Sequence, residues 1–529
     1  MFQGKPAVPD VSASARIFIA FLLAFIVVTR WLLAPHRLYY FDSGNFALAL
    51  DHFNPALHQP QPPGYPLFVA LSKIIYIWVA RPERVFLIAG LLGACAATLL
   101  VRILAADLFG RAAGLLAAAL LASNPVFWFG GLTNQIRIFL AVSALGVALL
   151  SWRAVTRPAS PGWFYAVFGA LGIAGGFRPV EATLLVPVVL WAWWQTGRGF
   201  RRLALGAAVT ALTALPWLAA TVIAAGGPLR FVGIIHDYAQ DQFQGTSAVY
   251  GATRQAAYGM VAEAFVWNFF GSLAWIWAVP LVIRHSWGPG AGRKFQLLAL
   301  GFLPPFLFSS IIHIGDPDQA LASVSILCVF GGGALAAVLE RFGSRRVFTL
   351  ACAMIVVHTV LFFKPPSKLA RAASYKAVAE VDGMNRTALN AIQSLRRDGP
   401  LTIVDWGSSV AWRHLQYYFP DDYVVVLPGD PSIPASPGAS SIMVYHREGM
   451  DAPQGAAGWI RPGTRRIVCL VPVDVTSPEF SSWHHLGNAY YSLYYRDYSG
   501  SRSIRIGSFT LISPKDTETF VPPSALNRM

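Results

Sequence analysis

The chain has 529 residues, 55% of them hydrophobic and 13% charged, with a mean hydropathy of +0.50 and a formal charge of +15. Soluble globular proteins carry about 25% charged residues, so the composition excludes that class and points to an integral membrane protein. The cysteines, Cys95, Cys328, Cys352 and Cys469, suggest neither a disulfide framework nor a zinc-ligand spacing. The excess of Arg and Lys is accounted for by loop orientation and anionic membrane lipids, and no nucleic-acid partner is expected.

A membrane span needs roughly 20 mostly apolar residues. Runs near 16–34, 85–106, 112–130, 136–152, 162–177, 179–195, 203–224, 264–283, 295–312, 319–339 and 346–363 predict about 11 spans, a polytopic α-helical membrane domain. The first run lacks a small-residue cleavage site and reads as a retained span. With the N-terminus in the cytoplasm, the inner connections hold Arg111; Arg153 and Arg157; Arg198, Arg201 and Arg202; Arg284, Arg293 and Lys294; and Arg341, Arg345 and Arg346. That is the positive-inside bias. Residues 65–78, "YPLFVALSKIIYIW", are apolar but short, with Leu67, Leu71, Ile74 and Trp78 on one helical face. They read as an amphipathic helix on the outer surface, since a span there would invert every later loop.

The last span then exits to the outside, and "KPPSK" (364–368) marks a boundary. This predicts a transmembrane domain over 1–364, with an outer loop over 35–84, and an extracytoplasmic domain over 365–529. In the latter, "LTIVDWG", "YVVVLPG", "SIMVYHR" and "RRIVCLVP" read as strands. A helical stretch opened by Ser408 and Ser409 lies between the first two, giving an α/β fold. "SIRIGSFTLISP" reads as a hairpin or edge strand.

Polar side chains gather in the outward loops. The first supplies Asp42, Asp51, His52 and His58; the turn 131–137 supplies Asn134, Gln135 and Arg137; "GGFRPVE" supplies Arg178 and Glu181. The 226–263 loop adds His236, Asp237, Asp241, Arg254 and Glu263, and "HIGDPDQ" adds His313, Asp316 and Asp318. An ionisable group costs about 2.5–3.5 kcal/mol at the centre of a span, so groups collected on one side predict a shared, water-accessible cavity.

In this order the chain resembles the GT-C superfamily of membrane glycosyltransferases that use polyprenyl-phosphate sugars. The closer likeness is to bacterial relatives of protein O-mannosyltransferases and the aminoarabinose–lipid A transferase. The resemblance is carried by "FDSGNFALAL", "QPPGYPLFVALSK", "LFGRAAGLLAAALLASNPVFWF", "GGFRP", "HIGDPDQAL" and "WRHLQYYFPDDYVVV". It implies inverting transfer of a sugar from a polyprenyl-phosphate carrier to an acceptor hydroxyl of a lipid, protein or polysaccharide, at the outer face of a bacterial inner membrane. Asp42 stands where the family places its catalytic base. The chemistry agrees: phosphate leaves readily, so a carboxylate must take the acceptor proton while cations hold the phosphate. Arg178 and Arg137 are the first candidates for that role, followed by His58, Lys73, Arg254 and His313. Asp51, Gln135, Asp316 and Glu181 are further outer-loop candidates. Asp42 is followed by Ser43, and Gln135 stands where relatives often carry an acid, so no metal or other cofactor is assigned.

Each assignment has a plainer rival. Asp42 suits the N-cap of a helix in which Phe46, Leu50 and Phe53 show helical spacing. Asp51 falls on the opposite face, which argues against a carboxylate pair. His58 and His313 suit hydrogen-bonded loop positions, and Arg178 suits a snorkelling interfacial arginine. A transporter or lipid flippase is the alternative function. Transporters place polar sites at the midplane of repeated, broken helices, whereas these runs hold little charge beyond Arg30 and Arg102.

Overall fold

Leu- and Ala-rich runs with few breakers form the helices of the first two thirds of the chain. The computed structural model describes residues 11–133, 136–197, 199–243, 247–280, 291–342, 346–428, 442–446, 449–451, 457–473, 478–500 and 502–513. The chain divides into two units: residues 1–34, 54–56 and 62–378, and residues 35–53, 57–61 and 379–529.

The first unit is helical: Val11–Leu33, Pro66–Val79, Pro82–Phe109, Arg111–Ser123, Pro125–Gly130, Ile138–Thr156, Gly162–Phe177, Pro179–Gln195, Phe200–Ala224, Pro228–Phe243, Arg254–Phe269, Ala291–Ile311, Leu321–Phe342 and Val347–Phe363. Pro66, Pro82, Pro125 and Pro179 each open a helix, where a missing N–H costs nothing. Among the described residues, Ala13–Leu33, Pro82–Phe109, Ile138–Thr156, Phe200–Ala224, Ala291–Ile311 and Pro317–Leu339 are long and apolar enough to cross a membrane. Leu205, Leu212, Leu215 and Ile223 point outward from Phe200–Ala224, an apolar surface of the kind a bilayer covers. Ile74, Ile77 and Trp78 do the same on Pro66–Val79.

Small residues let the inner helices approach closely. A Cβ at Gly332 would stand 2.5 Å from the Ala113 carbonyl oxygen and 2.7 Å from the Ala117 Cβ, and one at Gly114 would stand 2.6 Å from the Arg102 carbonyl oxygen. Between Gly162–Phe177 and Phe200–Ala224, the Trp217 indole donates to the Gly172 carbonyl (3.0 Å) and Thr210 Oγ1 to the Phe168 carbonyl (2.9 Å).

Two expected spans are not continuous helices. The run 112–130 breaks at Asn124, whose Oδ1 accepts from the N–H groups of Val126 (3.0 Å) and Phe127 (3.3 Å) and so starts a second short helix. In the run 264–283, Arg254–Phe269 gives way to 3₁₀ turns over Phe270–Ala274 and Ile276–Ala278, and residues 281–283 lie outside the described residues. There the Gly271 carbonyl accepts from His358 Nε2 (2.8 Å), and the Asn124 side chain leaves no room for a Cβ at Gly271. Tertiary partners thus replace helical ones. Helix Pro228–Phe243 forms inside the segment expected to be loop.

In the second unit, strands β1 (Leu401–Asp405), β2 (Tyr423–Val426), β3 (Met443–His446), β4 (Gly449–Asp451), β5 (Ala457–Trp459), β6 (Arg466–Val471), β7 (His484–Gly487), β8 (Ser492–Asp497), β9 (Ile504–Ile506) and β10 (Phe509–Ile512) form two sheets. The larger runs β4-β3-β2-β1-β6-β8-β7, with β1 parallel to β2 and β6 and its other pairs antiparallel; the smaller runs β5-β10-β9. Because successive strand residues face opposite ways, Leu401 and Ile403 pack with Leu389, Ile392 and Leu415 on one side, and Val404 packs with Ile467, Phe509 and Leu511 on the other. The helix after β1 covers Trp412–Tyr418, and its N-cap is Ala411 rather than Ser408 or Ser409. Ser408 is used elsewhere: its N–H donates to Asp405 Oδ1 (3.1 Å) and its hydroxyl to the Val410 carbonyl (3.0 Å).

The helix contact at Gly332 gives a stability test. Gly332→Leu forces methylene groups into the backbone of Arg111–Ser123 and is expected to cost about 1–3 kcal/mol. A Cβ at Gly146 would meet nothing within 4 Å, and Gly146→Leu is expected to be nearly neutral. Thermal unfolding of the two variants in one detergent measures the difference; equal midpoints would refute the close packing.

Candidate active site

Asp42 lies in the second unit, in the first turn of helix Phe41–Asp51. It is not the N-cap. Tyr40 takes that position in an extended conformation; its N–H donates to Ser43 Oγ (3.2 Å) and its carbonyl accepts from the Ser43 N–H (3.0 Å). The half-buried Asp42 carboxyl therefore occupies the first turn, where the helix dipole favours negative charge. Asp51 closes the same helix and is exposed, about 13 Å away along the axis at 1.5 Å per residue. Asn45, one turn from Asp42, is fully buried with neither amide atom hydrogen-bonded to a described residue. His58 belongs to this unit and adopts a left-handed conformation (φ 55°).

The return segment and the helix are both tied to Trp412–Tyr418. His414 Nε2 donates to the Tyr40 carbonyl (3.0 Å), a direction fixed because a carbonyl only accepts. Arg413 donates from Nη2 to the Leu57 carbonyl (2.9 Å) and from Nη1 to Gln416 Oε1 (2.7 Å). Burial pushes the His414 imidazole down to about 4 and the Arg413 guanidinium down to about 10.

The first unit gathers a separate charged cluster at the turns between helices. Arg137 is the N-cap of Ile138–Thr156, and Arg178 joins Gly162–Phe177 to Pro179–Gln195. Glu181 lies in the first turn of the latter helix, while His313 and Asp316 precede the 3₁₀ turn Pro317–Ala320 that holds Asp318. Arg137 Nη2 stands 3.9 Å from Asp316 Oδ2, and Thr133 Oγ1 donates to Asp318 Oδ2 (2.9 Å). Burial and the neighbouring Arg137 charge lower the pKa of Arg178, with Tyr65, Glu181 and Asp318 opposing them. Burial and the same two guanidiniums push His313 down to about 4. Glu181 Oε1, Asp318 Oδ1 and His313 Nδ1 are buried without a hydrogen-bond partner among the described residues. Tyr65 reaches this charge field from a left-handed backbone (φ 47°) at the N-cap of Pro66–Val79, a strained conformation of the kind that clusters at functional sites.

Arg30 supports this region from the first span. Its Nη2 donates to the Ala122 carbonyl at the end of Arg111–Ser123 (2.8 Å), and its guanidinium lies 5.1 Å from the Trp128 ring centre in Pro125–Gly130. It thereby braces the break that leads to Thr133.

Of the sequence candidates, Arg137, Arg178, Glu181, His313 and Asp316 come together. Lys73, half-buried on Pro66–Val79, and Arg254, exposed at the start of its helix, make no ion pair with a described residue. Gln135 lies outside the described residues. The sequence pattern does not single out Thr133 or Tyr65, and it shows Asp318 only as a neighbour of Asp316 in "HIGDPDQ". Among the described residues, no group of three or more His, Cys, Asp or Glu is placed to hold a metal ion.

A family model described as dolichyl-phosphate-mannose-protein mannosyltransferase matches residues 60–223. By fold, the chain is similar to ArnT from Cupriavidus metallidurans bound to undecaprenyl phosphate: TM-score 0.56, 14% identity, 92% of this chain and 98% of that one. The apo form of ArnT gives a TM-score of 0.58 at 13% identity and the same coverage. The chain has the fold of the GT-C glycosyltransferases. The match includes the helical GT-C membrane domain and the strand-containing C-terminal domain. The relatives found by family model and fold are glycosyltransferases, and the chain is a multi-pass membrane protein. The archaeal oligosaccharyltransferase of Archaeoglobus fulgidus gives a TM-score of 0.48 at 14% identity, with 77% of this chain and 64% of that one covered. No curated protein sequence matches the chain.

The fields of Arg137 and Arg178 make a sharp electrostatic prediction. Because His313 titrates below its ordinary 6.5, its contribution to stability is present above that value and is lost as pH falls from about 6.5 toward 4. Nitrogen NMR of labelled histidine should find His313 neutral until about pH 4. Arg137→Gln should move that midpoint upward, and an unmoved midpoint would show that the two groups are not coupled.

Proposed function

We propose that this protein transfers a sugar from a polyprenyl-phosphate carrier to an acceptor hydroxyl at the outer face of a bacterial inner membrane. The N-terminus is cytoplasmic and the C-terminal domain extracytoplasmic in this reading. The observation that carries it is the pairing of Arg137 and Arg178 among carboxylates at the helix ends. Two like charges held in a largely dehydrated site repel each other and are costly to bury. A phosphate accepting from both relieves that repulsion, and the planar forks of arginine match its oxygens. The description of ArnT as a complex with undecaprenyl phosphate supports this donor class.

Asp42 acts as the base. It takes the proton of the acceptor hydroxyl as that oxygen bonds to the anomeric carbon, and the carbon–oxygen bond to phosphate breaks with its electron pair leaving on the phosphate. One displacement from the face opposite the phosphate inverts the anomeric centre. No general acid is needed, because the phosphate leaves as a stable anion. Glu181, Asp316 and Asp318 keep the arginines charged and oriented. His313, neutral near pH 7, adds polarity without a third positive charge.

Asp42→Asn keeps size and polarity but cannot take the proton, so turnover should fall by several orders of magnitude while undecaprenyl phosphate still binds. Wild-type turnover in that variant would remove Asp42 as the base. For Arg178, a charge-assisted hydrogen bond worth about 1.5–3 kcal/mol corresponds to roughly ten- to a hundred-fold in affinity. Arg178→Ala should weaken undecaprenyl phosphate binding by that much, and Arg178→Lys by less. If all three proteins bind equally, normalised to folded protein, the phosphate role is wrong.

A further inference from the structure

We propose that Trp412, Arg413 and His414 are positioning residues for the loop that carries Asp42; this rests on the reading of Asp42 as base. The three are consecutive, and each reaches a different part of the loop. Trp412 meets the Phe41 ring edge to face, with centroids 5.2 Å apart, and is itself stacked on Tyr445 at 3.8 Å. His414 donates to the Tyr40 carbonyl. Arg413 presses its own backbone and Cβ against Gly44: a Cβ there would stand 2.9 Å from the Arg413 Cβ and 3.2 Å from its carbonyl carbon. Residues 40, 41 and 44 bracket Asp42 within one turn of helix, so these contacts fix both the axial position and the rotation of that turn.

Arg413 also secures the other end of the loop. Its side chain is buried with no carboxylate partner among the described residues, lies 4.2 Å from the Trp412 ring centre, and donates to the Leu57 carbonyl. A lone buried cation is a costly way to fill space, and a planar fork that holds a main-chain carbonyl is a reason to keep one. Tyr418, on the same helix, accepts from the Leu38 N–H (3.1 Å) and completes the clamp at the point where the loop begins. The helix after β1 therefore holds three points of the loop, at 38–41, 44 and 57, against one rigid sheet.

The test uses His414→Leu, which removes the donor, and His414→Gln, which retains an N–H of similar reach, in the full-length protein. Turnover is measured with whichever sugar of a panel of undecaprenyl-phosphate hexoses and pentoses the wild type uses. His414→Leu should lower kcat at least ten-fold with the donor KM and undecaprenyl phosphate affinity unchanged, and should speed hydrogen exchange at amides 40–46. His414→Gln should restore most of both. Wild-type kcat in His414→Leu, or equal losses in both variants in step with a lower melting midpoint, would overturn the positioning role. Unaltered exchange at 40–46 would overturn it whatever the activity. If Asp42→Asn stays active while His414→Leu does not, the base assignment fails and the clamp stands as the support of another group in the loop.

Discussion

Two guanidiniums confined to one poorly hydrated site are the constraint around which the first unit is arranged. Arg137 and Arg178 each sit where a helix begins. Their repulsion is offset by Glu181 on the helix that Arg178 caps and by Asp316 and Asp318 from one other turn, and Thr133 fixes Asp318 in place. Close glycine contacts pack the inner helices, and Asn124 and Arg30 hold the break that leads to Thr133. Such a cluster costs folding free energy when empty, which is why its polar atoms Glu181 Oε1 and Asp318 Oδ1, unpartnered among the described residues, are informative about function rather than stability.

The second unit solves a different problem. Asp42 sits in the first turn of an 11-residue helix, a length that is marginal on its own. It gains rigidity from a sheet hundreds of residues away in sequence. The parallel trio β2-β1-β6, buried on both faces, anchors Trp412–Tyr418, and that helix holds the segment around Asp42. The α/β domain is in this sense part of the architecture of the loop.

The membrane class, the helix positions and the strands β1, β2, β3 and β6 were legible in the sequence, because apolar length and β-branched runs are local signals. So was the set of turns that carry Arg137, Arg178, Glu181, His313 and Asp316, because charge is rare in such a chain and its placement is conspicuous. The errors share one cause. The 264–283 run looked helical, yet His358 takes the carbonyl of Gly271, where Asn124 leaves no room for a Cβ. Ser408 and Ser409 looked like helix caps, yet Asp405 and Val410 engage Ser408. The N-cap role that rivalled catalysis for Asp42 falls for the same reason, since Tyr40 and Ser43 close that turn between themselves.

Composition and local pattern thus determined by themselves that the chain lives in a membrane, that a strand-rich domain follows the helices, and which few turns gather charge. Tertiary structure alone decided which of those turns meet: it joined Arg137 to Asp316 and Thr133 to Asp318, left Lys73 and Arg254 without ion pairs among the described residues, and assigned the Asp42 loop to the unit of the C-terminal sheet. The reason is range. Hydrophobic periodicity acts over a few residues, whereas the partner of a buried charge is chosen by packing between elements far apart in the chain, and no local signal encodes it.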